Sequence, residues 1–313
     1  MTVREALRGK PQDSEILLSF ILKKDKAWIF ANPGKTLNKS QETSYQKLIQ
    51  KCKQHWPVAY LTGHKEFYGL DFKVDQDVLI PRPETELLVE LALERIKNRE
   101  LGIKNVIDVG TGSGTIIITI SKILATASIL EKLKLFAIDV SSSALKIAKV
   151  NAGRHGVARK IKFVRGNLLD PLFRLPLRPL SFPPHEGGLK GGRGRSLIIA
   201  NLPYLTPRQM KNPDLKHEPK NALVAGKDGL KYYRELFKQI KIHNSPNPSY
   251  LKRGVPPTKS AGSEEGLLTL LLEHDPSQVS KLKSLAKKYF PKAKTKFHKD
   301  LSSRYRVVEI VVD

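Results

Sequence analysis

The sequence predicts an α/β fold: a parallel sheet with helices on both faces, ending in an antiparallel hairpin and preceded by a small helical domain. Three observations carry this reading. From residue 104 onward, short apolar runs alternate with stretches of helical spacing, the pattern of parallel strands joined by crossover helices. The final stretch, "KTKFHKDLSSRYRVVEIVVD", holds two strand-like runs around a short polar loop, which suits an antiparallel hairpin at a sheet edge. Residues 1 to about 95 read instead as mainly helical.

Taken in order, "DSEILLSFILKK" and "TSYQKLIQKCKQ" carry apolar residues at helical spacing, with Asp13 or Ser14 and Thr43 or Ser44 as caps. "FYGLDFKV" and "DVLI" suggest a hairpin turning around Asp75 to Asp77. "PRPETELLVELALERI" combines a proline entry, acidic residues in the first turn and an apolar stripe, so a helix follows. Glu84 and Glu86 at its start are acid/base candidates, though capping is the commoner use of such carboxylates. The expected division is a helical domain over 1–75, a hairpin and connecting helix over 76–103, and the sheet domain over 104–313. Within the last, "KNVIDVG", "KLFAIDV", "KIKFVRGNL", "SLIIANL" and "GLLTLLLEH" are strands. "GTIIITISKIL", "SSSALKIAKVNAGRHG" (capped by Ser141 or Ser142) and "DGLKYYRELFKQIKI" are helices. Two stretches, 174–195 and 243–266, are rich in Pro, Gly and basic residues. They cannot bury much apolar surface, and they read as surface insertions acting as spacers.

Composition narrows the function classes. The 313 residues are 40% hydrophobic, enough for a packed core. No apolar run approaches the ~20 residues of a membrane span, and the charged start lacks the apolar core of a signal peptide. The expectation is a cytoplasmic protein that is monomeric and away from membranes. Cys52, the single cysteine, excludes internal disulfides and cysteine-rich zinc sites and reads as a bystander in a Lys-rich helix. The eight histidines show no metal-ligand spacing, so no metal is expected. The net charge of +25 suits a polyanion or an acidic partner, or equally a solvated Lys-rich surface.

Two motifs carry chemistry. In "VIDVGTGSGT" a strand runs into Gly110, Gly112 and Gly114 and then a helix. Glycines there let backbone pass close to a ligand. The next strand ends at Asp139, where a carboxylate can accept from both hydroxyls of a ribose. Turn and carboxylate together indicate an adenosine-containing ligand. The absence of a Gly-x-x-x-x-Gly-Lys loop argues against a nucleoside triphosphate. S-adenosylmethionine needs no phosphate cradle, and Asp108 ahead of the turn suits its amino group and sulfonium. The second motif is "NLPY", Asn201 to Tyr204, at the end of the fourth strand. Pro203 forces Leu202 into an extended conformation. The Asn201 side-chain carbonyl and the Leu202 backbone carbonyl can then accept the two N–H bonds of a planar amide or amino group, and Tyr204 can stack on it.

With these residues in hand, the chain resembles the protein-(glutamine-N5) methyltransferases that modify peptide chain release factors. "PVAYLTGHKEFYGLDFKVDQDVLIPRPETELLVE", "VIDVGTGSGT", "NLPY", "ALVAGKDGLKYYRELF" and "KDLSSRYRVV" carry the likeness. The resemblance implies a Rossmann-like, S-adenosylmethionine-dependent methyltransferase sheet behind a helical substrate-recognition domain. It implies methylation of the glutamine in the Gly-Gly-Gln motif of class I release factors, without any need for nucleic acid. It places Gly110, Thr111, Gly112, Ser113 and Gly114 along the cofactor, Asp139 on its ribose, Asn167 and Leu168 beside its adenine, and Asn201, Leu202, Pro203 and Tyr204 on the substrate amide, with Asn201 also near the cofactor. Leu202 departs from the usual Asn-Pro-Pro-Tyr, and Asn167 stands where the family commonly has Asp. Asn-Leu-Pro-Tyr also resembles the motif of ribosomal RNA adenine dimethyltransferases, but those begin their sheet near the N-terminus. A third alternative is an RNA- or ribosome-binding protein with a vestigial pocket.

Overall fold

The computed structural model describes residues 1–8, 13–98, 102–125, 130–173, 195–244 and 268–312. The two expected insertions fall almost entirely outside them.

Five helices come first: α1 (Val3–Leu7), α2 (Ser14–Leu22), α3 (Lys26–Ala31), α4 (Lys39–Lys53) and α5 (Val58–Thr62). They enclose a core of their own around Leu17, Leu18, Ile29, Tyr45 and Ile49. The Tyr45 hydroxyl donates to the Ala6 carbonyl at 2.8 Å, which satisfies the polar end of a buried ring. The α4 start differs from expectation. Asn38 and Gln41 form a reciprocal capping box, so the helix begins at Lys39 and both Thr43 and Ser44 lie inside it. A side chain that accepts from the exposed first-turn N–H groups outcompetes later Ser and Thr as a start signal. For α2, Asp13 occupies the cap position without a side-chain bond.

The hairpin also differs from expectation. It pairs β1 (His64–Phe67) with β2 (Leu70–Lys73), and the turn falls at Tyr68–Gly69 rather than around Asp75 to Asp77. Tyr68 and Gly69 have φ of 53° and 73°, the doubly left-handed backbone of a tight two-residue turn. The Asp75 carboxylate instead accepts from the Asp77 N–H in a local turn, leaving 77–82 free of strand pairing. The segment then makes a 3₁₀ turn (Pro83–Thr85) and enters α6 (Glu86–Lys97).

The main sheet holds seven strands: β3 (Ile103–Val109), β4 (Lys134–Asp139), β5 (Ile161–Arg165), β6 (Arg195–Ala200), β7 (Leu268–Glu273), β8 (Lys294–Lys299) and β9 (Tyr305–Val312). Their order is β5-β4-β3-β6-β7-β9-β8; the strands run parallel from β5 to β7 and end in the expected antiparallel hairpin of β8 and β9. The linking helices are α7 (Thr115–Leu124), α8 (Ser142–Arg154), the short α9 (Asp170–Phe173), α10 (Lys231–Asn244) and α11 (Val279–Tyr289). Ser141 caps α8 by accepting from the Ala144 N–H at 3.1 Å. The sequence reading passed over α11. Its buried positions are Leu282 and Ala286, spaced at i and i+4 in an otherwise Lys-rich run.

Both faces of the sheet are covered. Val106, Leu135, Leu197 and Ile199 pack with α6 and α7. Ile107, Ile138, Ile198, Leu270 and Leu272 pack with α10 and α11. Alternate residues of one strand therefore serve opposite layers, and the strands read as continuous apolar runs. The strand order reverses between β3 and β6, so the crevice beyond their carboxyl ends is where such a sheet takes ligands.

Candidate functional site

The β3 backbone leaves the sheet at Gly110. Gly110 and Thr111 both donate to the Ile138 carbonyl, at 2.8 and 2.9 Å, which ties the turn to the end of β4. The three glycines differ in what they do. A Cβ on Gly112 would meet nothing within 4 Å, so the turn is open there. A Cβ on Gly110 would lie 3.2 Å from the Leu202 side chain and 4.0 Å from the Asn201 carbonyl oxygen. The two sequence motifs therefore meet at the switch point. A Cβ on Gly114 would sit 2.6 Å from Ile118 and 3.1 Å from Ala148. That glycine serves helix packing, and it is not among the residues lining the cavity.

Asp139 closes the turn from β4. Its two carboxylate oxygens accept from the Gly112 N–H at 2.9 Å and the Ser141 N–H at 2.8 Å. A carboxylate has about four acceptor positions, so these bonds leave acceptor capacity for a ribose hydroxyl. Burial raises the Asp139 carboxyl above its ordinary value, against the hydrogen bonds from Ser141, Gly112 and Val140. Asp108 has no exposed surface. It accepts from the Thr111 hydroxyl at 2.7 Å, and burial pushes it up to about 7. It shapes the turn from beneath and is not among the lining residues. Asn151 holds the far side. Its amide donates to the carbonyls of Ser113 and Lys73 at 2.9 and 3.0 Å and accepts from the Lys73 N–H at 2.8 Å. The hairpin and the glycine turn are thus joined by one amide, with both of its N–H groups and its carbonyl engaged.

The cavity encloses about 1050 Å³, counting space open to solvent. Gly110, Thr111, Gly112, Ser113, Asp139, Asn167, Leu168, Asn201, Leu202 and Pro203 all line it. Tyr204 does not: its hydroxyl turns inward and donates to Glu273 Oε1 at 3.1 Å. Its hydroxyl is raised well above the ordinary tyrosine range by burial and by the neighbouring Glu273. Glu84 and Glu86 are also outside the lining. Glu86 accepts from the Tyr68 N–H at 2.9 Å and so fixes the hairpin turn, while Glu84 lies 3.7 Å from Arg306.

Other lining residues escaped the sequence reading: Asp77, Pro81, Arg82, Thr85, Asn221 and Tyr232. Arg82 is paired with the buried Glu218, which also accepts from the Ile80 N–H at 3.3 Å. The loop containing Glu218 is held in turn by the helical domain. His217 stacks on Trp56 with ring centroids 4.2 Å apart, and His55 meets Asp214 at 3.0 Å. The helical domain therefore sits directly against the loop that follows Asn201–Tyr204. A signal was present in the conspicuous "IPRPET" run, but its role as a cavity wall depends on long-range packing.

Among the described residues, no group of His, Cys, Asp and Glu could hold a metal ion, and no helix is long and apolar enough to cross a membrane.

Comparison with known proteins identifies the family. The PrmC N-terminal domain family matches residues 3–63 and a methyltransferase domain family matches 103–182. A release factor glutamine methyltransferase of Dictyoglomus turgidum is 31% identical over 301 residues, covering 96% of this chain and 90% of that protein. One from Coxiella burnetii is 35% identical, with 87% and 82% covered. One from Bacillus subtilis is 32% identical, with 73% of each covered. The chain belongs to the release factor glutamine methyltransferase family.

Proposed function

We propose that this chain transfers a methyl group from S-adenosylmethionine to the side-chain amide nitrogen of the Gly-Gly-Gln glutamine in class I peptide chain release factors. The observation that carries this reading is the meeting of the glycine turn with Asn201 and Leu202 at the switch point. A cofactor on the turn then lies beside an amide held by the loop.

The residues present fit S-adenosylmethionine. Gly112 leaves the backbone open, and Asp139 keeps acceptor capacity beyond the bonds it already takes. Asn167 and the buried Leu168 offer a polar and an apolar contact for the adenine. When bound, S-adenosylmethionine supplies an electrophilic methyl group on a sulfonium.

The chain's own contribution is orientation. An amide nitrogen is a poor nucleophile because its lone pair is delocalised. The Asn201 Nδ2 group donates to the Thr85 hydroxyl at 3.0 Å, which leaves Oδ1 on the other side of the amide as an acceptor. Oδ1 and the Leu202 carbonyl take the two N–H bonds of the glutamine and hold its nitrogen in line with the methyl. As the nitrogen becomes positive its N–H groups become better donors, so both bonds strengthen in the transition state. Pro203 stiffens this loop, and Tyr204 anchors it through Glu273. The helical domain, seated against the following loop, is placed to receive the release factor, and the protein works as a cytoplasmic monomer that needs no nucleic acid.

The test is incubation with labelled S-adenosylmethionine and either a class I release factor or ribosomal RNA. Label in the release factor alone is expected. Label in the RNA alone contradicts the reading.

A further inference from the structure

Asn201 can accept from a substrate only if its amide is the right way round. Rotating the amide by half a turn would present Nδ2, a donor, to a group that has only donors to offer. Within the fold the choice is made by a chain of three side chains. Asn201 Nδ2 donates to Thr85 Oγ1 at 3.0 Å, and the Thr85 hydroxyl donates to Glu273 Oε2 at 2.7 Å. The second oxygen of Glu273 takes the Tyr204 hydroxyl at 3.1 Å. Thr85 is 3% exposed and Glu273 is 1% exposed, so water does not compete for these bonds. The three residues come from the start of α6, the end of β6 and the end of β7.

We propose that Thr85 and Glu273 are positioning residues that set the direction of the Asn201 amide, and so decide which of its atoms faces the substrate. This rests on the function proposed above. The directionality follows from donor and acceptor counts. An ionised carboxylate only accepts, so above about pH 7, where Glu273 is ionised, it commits the Thr85 proton to itself. Thr85 then faces Asn201 with lone pairs alone, and Asn201 must answer with Nδ2. The glutamine thereby meets Oδ1. A buried carboxyl is an expensive way to hold a threonine. Burial raises Glu273 to about 7 despite the bonds from Thr85 and Tyr204 and the charge of Arg306. Its backbone carbonyl, which accepts from the Tyr233 hydroxyl, fixes the end of the strand as well.

The experiment measures turnover on release factor and S-adenosylmethionine affinity for four variants, with thermal unfolding as the folding check. Thr85→Val keeps the shape but removes the hydroxyl. Its turnover should fall at least about tenfold, the scale of one lost hydrogen bond, with cofactor affinity within about twofold of wild type. Thr85→Ser restores the hydroxyl and should recover most of the lost turnover. Glu273→Leu frees the Thr85 proton to turn on Asn201 Oδ1. It should stay folded at pH 8 and lose turnover as Thr85→Val does. Tyr204→Phe leaves the Thr85 bond intact and should lose less than either. Wild-type turnover in a folded Thr85→Val variant overturns the proposal, as does failure of Thr85→Ser to recover it. A wild-type protein that does not label release factor would instead sink the proposed function.

Discussion

The two sides of the cavity are built differently. The cofactor side is made by local backbone. Gly110–Ser113 and Asp139 are joined by main-chain N–H groups reaching the next strand, and one motif plus one carboxylate describes it. The acceptor side is made by side chains from distant segments. Thr85 is 116 residues from Asn201 and 188 from Glu273. Each side is backed by a buried carboxyl raised to about 7, Asp108 under the glycine turn and Glu273 under the Asn201 loop. The contrast matches their tasks. Cofactor binding is served by a cradle of fixed dipoles, whereas catalysis needs one amide held in one orientation.

If the two sides are separable, damage to one should leave the other's measurement largely unchanged. The largest effect is expected for Asn201→Ala. Turnover on release factor should fall by roughly 10²–10³, the scale of losing one electrostatic stabiliser, while S-adenosylmethionine affinity by calorimetry changes far less. Asp139→Ala should do the reverse, weakening cofactor binding by at least ~1.5 kcal/mol, about tenfold. A shared loss of both quantities in either variant would break the separation.

The buried carboxyls sharpen the comparison through pH. Both are raised in the fold above their ordinary values of 3.8 and 4.5. Between those values and about 7 the folded chain holds protons that the unfolded chain has released. Stability from these groups therefore falls as pH rises through that window. Glu309 has the opposite sign. Burial lifts it, but hydrogen bonds from His298 and Arg95 overcome that and hold it at about 2. Its contribution is present above 4.5 and is lost as pH falls towards 2. Denaturant unfolding at pH 5 and pH 8 should show a smaller difference in Glu273→Gln than in wild type. An unchanged difference would remove Glu273 as a source of the slope.

The smallest effects are expected outside the contrast. Leu202→Pro should be neutral or mildly activating, because it stiffens the loop without moving the carbonyl. Replacing residues 174–195 and 243–266 by short Gly/Ser linkers should leave turnover within a few-fold. Apart from Arg195, which opens β6 opposite Ile103, the pairing of β6 and β7 comes from residues outside those stretches, and steady-state kinetics of the two variants is the check.

The same contrast explains what the sequence made legible. Alternating strands and helices, the glycine turn, Asp139 and Asn201 are encoded in short windows; the turn follows β3, and Asp139 and Asn201 stand at the ends of β4 and β6, while Gly114 packs against helices instead of lining the cavity. The hairpin turn was missed because Tyr68 is an unusual residue at positive φ, whereas the Asp-rich stretch at 75–77 advertises a turn. The α4 start was missed because Asn38 and Gln41 act only as a pair. Thr85 and Glu273 carry no local signature. A threonine at a helix start and a glutamate ending a strand acquire meaning only when the sheet brings them together. Gly229 is another such case. A Cβ there would stand 2.2 Å from the Tyr204 carbonyl oxygen, so that glycine keeps room for the acceptor loop from an unrelated turn.

The central claim is that two carbonyls hold the two N–H bonds of a glutamine amide, and mapping the transferred methyl group by mass spectrometry tests it most directly. A class I release factor incubated with wild-type protein and labelled S-adenosylmethionine should carry one methyl on the side-chain nitrogen of its Gly-Gly-Gln glutamine. A release factor with glutamate at that position, which offers no N–H bonds, should carry none. Label on another residue, or label that persists on the glutamate form, would contradict the account.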